Sequence, residues 1–304
     1  MDYLYGIIII VGLYVILATS FNLIIGYGGL VSIAHPVFFA LGAYTSAILS
    51  RDVHVPVLLA MLAGFCVALI ASIALALPSL RVSGDYLMIA SIGFQLGVLE
   101  LIKNVRFTGG PGGFTNIPAF LIRDFGRESY VLLVLAVAAA VILLIWWIAR
   151  SDYGRAMSAM RDDELAFASV GRDAMWMKIA IFALGSGLAG LAGGLYAHYF
   201  RFITPEQFEI LQSSAILTMV VVGGMRTTWG PVIGALLLEA LPQAISFLQL
   251  PPSILGPIQG LLFTGLVLVF MFFRPQGLVP ARDIWRSPQR SAPARQKAAQ
   301  KAAP

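Results

Sequence analysis

A series of apolar runs, each close to the length that crosses a bilayer, limits this chain more than any other feature. A spanning helix needs roughly 20 mostly apolar residues. Candidate spans lie at 4–25, 31–50, 55–77, 85–103, 129–149, 178–200, 211–224, 231–250 and 254–273. They predict an all-α polytopic membrane protein of about nine transmembrane helices, with about eight to ten as the range. The 211–224 run is short enough to be a half-helix. Of the 304 residues, 59% are hydrophobic and 12% charged, against about 25% charged in a soluble domain. A soluble fold of this composition would lack the polar surface to cover its own core, which excludes a water-soluble enzyme. The opening MDYLYGIIIIVGLYVILA carries an acid and no basic lead, so it reads as a retained first span and not a cleaved signal peptide.

The formal charge of +5 is a topology signal in such a chain, not a nucleic-acid patch. Loop 150–178 carries Arg150, Arg155, Arg161, Arg172 and Lys178. The segment after 273 carries Arg274, Arg282, Arg286, Arg290, Arg295, Lys297 and Lys301. Basic loops stay cytoplasmic, and four predicted spans separate these two, so both assignments agree. Counting back puts the N-terminus and the 104–128 loop outside. Arg106, Arg123 and Arg127 in that loop run against the rule. The expected organisation is a transmembrane domain over 1–279 and a disordered basic cytoplasmic tail over 280–304. The tail either holds orientation and touches anionic lipid or is simply a charged end.

Two places break the apolar pattern. In Asn22-Leu-Ile-Ile-Gly26-Tyr-Gly28-Gly29-Leu-Val-Ser32-Ile-Ala-His35-Pro36, clustered glycines interrupt a helix and Pro36 favours the first turn of another. A helix over 36–50 would reach only about 22 Å, against a hydrocarbon core of about 30 Å. The helix then starts inside the membrane after an irregular piece, or the glycines form a tight loop at the cytoplasmic surface. Irregular backbone at membrane depth is tolerated only when buried in protein or lining a wet cavity, and transporters use such helix starts for substrate. Asn22, Ser32 and His35 are therefore pathway candidates. A second break, Gly223-Gly224-Met-Arg226-Thr227-Thr228-Trp229-Gly230-Pro231, ends in the same way and hints at a repeated element.

Polar residues within spans add Gln95 and Glu239 to the pathway candidates, because ionisable and polar groups inside a membrane are functional suspects. Asp85 and Glu100 lie near span ends, where solvent accounts for them; Gln243 and Gln259 complete the set. No acid–histidine chain suited to proton coupling is visible. Cys66 is the single cysteine, and His35, His54 and His198 share no metal-ligand spacing, so neither a metal site nor a catalytic constellation is expected. Gly185-Ser-Gly187-Leu-Ala-Gly190 matches a dinucleotide-binding pattern but follows a helical run, not a strand. With Gly193 and Gly194 it reads as a seam for close helix packing. Two outer segments, TGGPGGF and YFRFITPEQFEILQ, are either connectors or a docking surface for an external partner.

Loop 150–178 is the one sizeable polar segment between spans. Residues 155–169 favour a short amphipathic helix that Gly171 can terminate. Three consecutive acids, Asp162, Asp163 and Glu164, argue against an anionic lipid surface. A helix joined rigidly to two spans is what a motor subunit can push.

The chain resembles the permeases of branched-chain amino acid ABC importers, LivM type. The matching pieces are NLIIGYGGLVSIAHPVFFALGAYTSA, LRVSGDYLMIASIGF, TGGPGGFTNIP, SDYGRAMSAMRDDELAFASVG, GLAGGLYAHYFRFITPEQF and MVVVGGMRTTWGPVIGALLL, which in order cover most of 20–240. Leu30, Ala34 and the Glu164-Leu-Ala-Phe run depart from the residues commonest in that family. The resemblance implies the ABC importer permease fold in the bacterial inner membrane. It also implies a second permease subunit, two ABC ATPase subunits and an extracytoplasmic solute-binding protein. By the same implication, Tyr153, Gly154, Arg155, Arg161, Asp163, Glu164 and Gly171 belong to the segment that couples to an ATPase. No GxxxxGK[ST] occurs here, so ATP and Mg would be bound by partner chains and this chain would be no enzyme. The cargo would be a branched-chain or other apolar amino acid, with urea, amides or aromatic acids as alternatives. A lone ion-coupled secondary transporter is the rival, with Glu239 as its only intramembrane acid.

Overall fold

The computed structural model describes residues 2–80, 84–120, 122–246, 265, 268 and 277–280. Among these every regular element is helical, and the β-type pairing is an isolated antiparallel bridge between Phe114 and Ile203. The expected span 254–273 lies outside the described residues except for Gly265 and Leu268, as does the tail from 281. Gln259 and the side chains of Asp85, Arg123 and Gln243 are outside them too.

Helix α1 (Asp2–Asn22) runs on through a π turn, Leu23–Tyr27, that closes with the Gly28 N–H on the Leu23 carbonyl. Helix α2 (His35–Arg51) follows seven irregular residues and has Pro36 in its first turn. Its 17 residues reach about 25 Å. Helices α3 (Val57–Ser79) and α4 (Gly84–Asn104) are full spans, and so is α5 (Ile122–Arg150) after a non-helical break at Gly126. Then come α6 (Asp152–Asp162) and α7 (Glu164–Ser169). The long α8 (Ala174–Phe200) precedes the half-length α9 (Ile210–Gly223) and α10 (Gly230–Ser246). Among the described residues, five helices are long and apolar enough to cross a membrane, with a shorter apolar piece at Gly230–Ala240.

Burial sorts these helices. Within the spans, 78% of α8 and 72% of α1 are buried, but only 28% of α3, 28% of α4 and 22% of α5. The core is therefore α8 and α1, with α2 packed against α8, and α3, α4 and α5 form the rim. The glycines of α8 are the cause. A Cβ on Gly193 would run into the Phe39 carbonyl of α2, and one on Gly42 into the backbone of Gly190. The stretch that mimics a dinucleotide motif is a seam where two backbones touch, as small-residue helix packing allows.

Contacts between loops gather the helix ends on two faces. On one face Tyr5 donates to Glu128 at 2.8 Å, Arg51 to the Thr115 carbonyl at 2.9 Å, and Lys103 pairs with Glu209. The Phe114–Ile203 bridge lies there as well. On the other face lie the 26–29 turn, α6, α7, the 224–229 loop and residues 277–280. The Leu278 and Val279 amides donate to the Val222 and Gly223 carbonyls.

The seven residues before α2 are not a surface loop. Ile33 donates its N–H to Ser91 Oγ of α4 at 2.9 Å and accepts from Ser213 Oγ of α9 at 2.7 Å. Leu30, Ser32 and Ala34 are buried. The chain folds back between helices before α2 begins, so of the two expected arrangements the irregular piece packed in protein is the one the fold contains. The first residue of α2 is His35, several residues later than a span at 31–50 implies.

The expected single helix over 155–169 is two. Asp163 is extended (φ −155°, ψ 104°), ends α6 and caps α7 by accepting the Ala166 N–H at 2.9 Å. An aspartate prefers this N-cap role to a helix interior, and that preference overrides the alanines and methionines around it.

Candidate functional site

The two irregular backbone segments meet at the C-terminal end of α1, through Asn22. Asn22 is fully buried. Its Nδ2 donates to the Thr227 carbonyl at 2.9 Å, and its Oδ1 accepts the Arg226 N–H at 3.1 Å. One side chain thus ties the first break to the second. Arg226 has a left-handed backbone (φ 65°), which exposes its amide to Asn22. The loop then closes through Thr227 Oγ1, which donates to the Gly224 carbonyl and accepts the Gly230 N–H.

Arg161, at the end of α6, reaches the same place. Its Nη1 donates to the Gly26 carbonyl at 2.5 Å. Burial first, then the charge of Arg226, pulls its guanidinium below its ordinary range, while Asp162 opposes this.

The other pathway candidates are held by protein groups. Ser32 Oγ accepts the Ala34 N–H at 3.3 Å. Ser20 Oγ donates to the Leu17 carbonyl, so its 3.0 Å contact with His35 Nε2 needs the proton on that nitrogen. His35 Nδ1 is then a buried acceptor, without a partner among the described residues. Gln95 donates to the Phe208 carbonyl at 3.1 Å, which pins α4 to the opposite face, and its Oε1 lies 3.2 Å from Ser213 Oγ of α9, whose proton is shared with the closer Ile33 carbonyl. Glu239 on α10 is partly buried, and Tyr14 of α1 accepts from Gln212 at 2.7 Å.

The residues of loop 150–178, the hinge between α5 and α8, sort differently. Tyr153 is exposed and Arg155 pairs with Asp152. Gly154 lies so close to the end of α5 that a Cβ would meet the Ala149 carbonyl. Glu164 pairs with Lys178 of α8 at 2.5 Å, which fastens α7 to that helix. Gly171 (φ 79°) makes the turn from α7 into α8. Around this frame Leu165, Val170 and Trp176 are 85%, 78% and 68% exposed. These three apolar side chains stand exposed beside the charged residues of the same segment.

Four residues are not singled out by the sequence: Ser91 and Ser213, which grip Ile33, and Arg226 and Thr227, which act through their backbone. The last pair lay within the second glycine break, so the signal for a special loop was present. Nothing local pointed to its partner 205 residues away.

Residues 3–272 match the family described as branched-chain amino acid transport system / permease component. The chain is 30% identical to the high-affinity branched-chain amino acid transport system permease protein LivM of Escherichia coli (strain K12), over 88% of this chain and 68% of that protein. It is 28% identical to the probable branched-chain amino acid transport permease protein LivM of Methanocaldococcus jannaschii, over 77% and 70%. A more distant relative is the autoinducer 2 import system permease protein LsrC of Salmonella typhimurium, 29% identical over 61% and 55%. No solved structure matches.

Proposed function

We propose that this chain, which belongs to the branched-chain amino acid transport permease family, is the translocating subunit of an ABC importer in the bacterial inner membrane. Its cargo is a branched-chain amino acid. The hinge face is cytoplasmic, and the N-terminus and the 104–128 loop are outside. A second permease subunit completes the translocator, two ABC ATPases bind ATP and Mg beneath it, and an extracytoplasmic solute-binding protein delivers cargo. This chain performs no covalent chemistry.

The observation that carries the reading is the hinge surface. Leu165, Val170 and Trp176 project from a frame held by the Asp163 cap and the Glu164–Lys178 pair. Lipid is a poor cover, because Asp162, Asp163 and Glu164 lie beside them and repel anionic headgroups. A folded protein partner fits both the apolar knobs and the acids. Rigidity makes the surface useful, since a slack loop would absorb a partner's movement.

Leu165→Glu tests this. The exposed side chain makes no demand on the fold, so the permease is expected at normal abundance in the membrane. Recovery of ATPase chains with it from mild detergent is expected to fall about tenfold, because a carboxylate would be buried at the contact. Normal recovery from the variant, or no ATPase with the wild type, would remove the basis for the proposal. Binding assays on the cognate solute receptor separate branched-chain amino acids from urea, amides and aromatic acids.

A further inference from the structure

Arg161 occupies the hinge, yet it is not part of the surface that Leu165 and Trp176 offer. Its side chain enters the bundle and donates to the Gly26 carbonyl. Gly26 lies in the π turn, where the first span is already leaving regular hydrogen bonding. The fit allows no slack. A Cβ on Gly29 would stand 2.7 Å from Arg161 Cγ, and one on Gly26 would collide with Asn22 Oδ1. Asn22 in turn grips the backbone at Arg226 and Thr227, the loop from which α10 starts.

We infer that Arg161 and Asn22 form a two-part latch between the hinge and both broken segments. Resting on the coupling role proposed above, it gives that role a route. Displacement of α6 by an ATPase moves the guanidinium and with it the Gly26 carbonyl. The 28–34 segment, which leads to Ser32 and His35, follows. Asn22 passes the same displacement to the 224–229 loop, so the starts of α2 and α10 move together. Arg161 and Asn22 are positioning residues; neither touches cargo nor ATPase.

The test uses the assembled importer, with uptake, ATP hydrolysis and subunit recovery measured in parallel. Arg161→Gln removes the charged donor and is expected to lower uptake about tenfold or more. ATPase recovery and hydrolysis stimulated by the loaded binding protein should stay at wild-type levels. Arg161→Lys, which keeps a cationic donor for one carbonyl, should recover a large part of the uptake. Asn22→Leu is close in size, carries no charge and drops both the donor to Thr227 and the acceptor for Arg226; it should lower uptake about threefold or more with hydrolysis retained. It carries the test if Arg161→Gln fails to accumulate. Wild-type uptake in both variants, or loss of ATPase subunits from Arg161→Gln, overturns the latch. If the wild-type chain itself recovers no ATPase, the importer reading fails instead, and the two failures are distinct.

Discussion

Leucine at Gly42 is expected to eliminate the folded permease from the membrane. Even a methyl group there would overlap the Gly190 backbone of α8, and Gly64 of α3 closes on the same spot, its Cβ position 2.7 Å from the Gly42 carbonyl. These neighbours are main chain, so no rotamer change relieves the overlap and whole helices must separate. Overpacking a core costs about 1–3 kcal/mol even where side chains can yield, against a total stability of about 5–15 kcal/mol. A four-carbon wedge between two backbones exceeds what side-chain repacking describes. Membrane abundance is expected below about a tenth of wild type. Gly97→Ala is the control: its Cβ position on α4 meets nothing within 4 Å, so abundance and melting temperature should hold or rise slightly. Wild-type melting of Gly42→Leu would contradict the placement of α8 at the centre.

The second large effect separates transport from folding. Gly171 has φ 79° and donates its N–H to the Ala168 carbonyl at 2.9 Å. Proline fixes φ near −65° and has no N–H, so Gly171→Pro must re-route the turn between α7 and α8. The turn lies outside the bundle, and a Cβ there meets nothing, so the helices remain assembled. The exposed hinge surface, however, loses its fixed relation to α8. Uptake is expected to fall about tenfold or more, with membrane abundance near wild type. Glu164→Lys should act in the same direction more weakly, because it sets a cation against Lys178 while leaving the turn intact. Unchanged uptake with Gly171→Pro would show that the hinge need not be rigid.

These two positions also show what could be read before any coordinates. The five long apolar helices, the late start of α2 at the His35-Pro36 pair and the short α9 follow from apolar length and from glycine and proline, which act over a few residues. The packing role of the α8 glycines was legible for the same reason. The division of the hinge at Asp163 was not, because helix-forming neighbours hide a cap unless the backbone is seen. The resemblance puts Arg161 in the coupling segment, but that its guanidinium turns to Gly26 depends on residues 135 apart. Gln95 stood out as a polar residue in a span. Its attachment to Phe208 and Ser213 requires helices that only tertiary packing brings together.

The central position of α8 has a consequence for biogenesis. The helices that wall its slot, α1 to α3, are complete by Ser79, but α8 begins at Ala174. Nearly a hundred further residues leave the ribosome while the glycine-lined backbone of α2 and α3 waits without its filler. Nascent chains halted before α8 should therefore be prey for membrane quality-control proteases, and chains halted just after Phe200 should resist them.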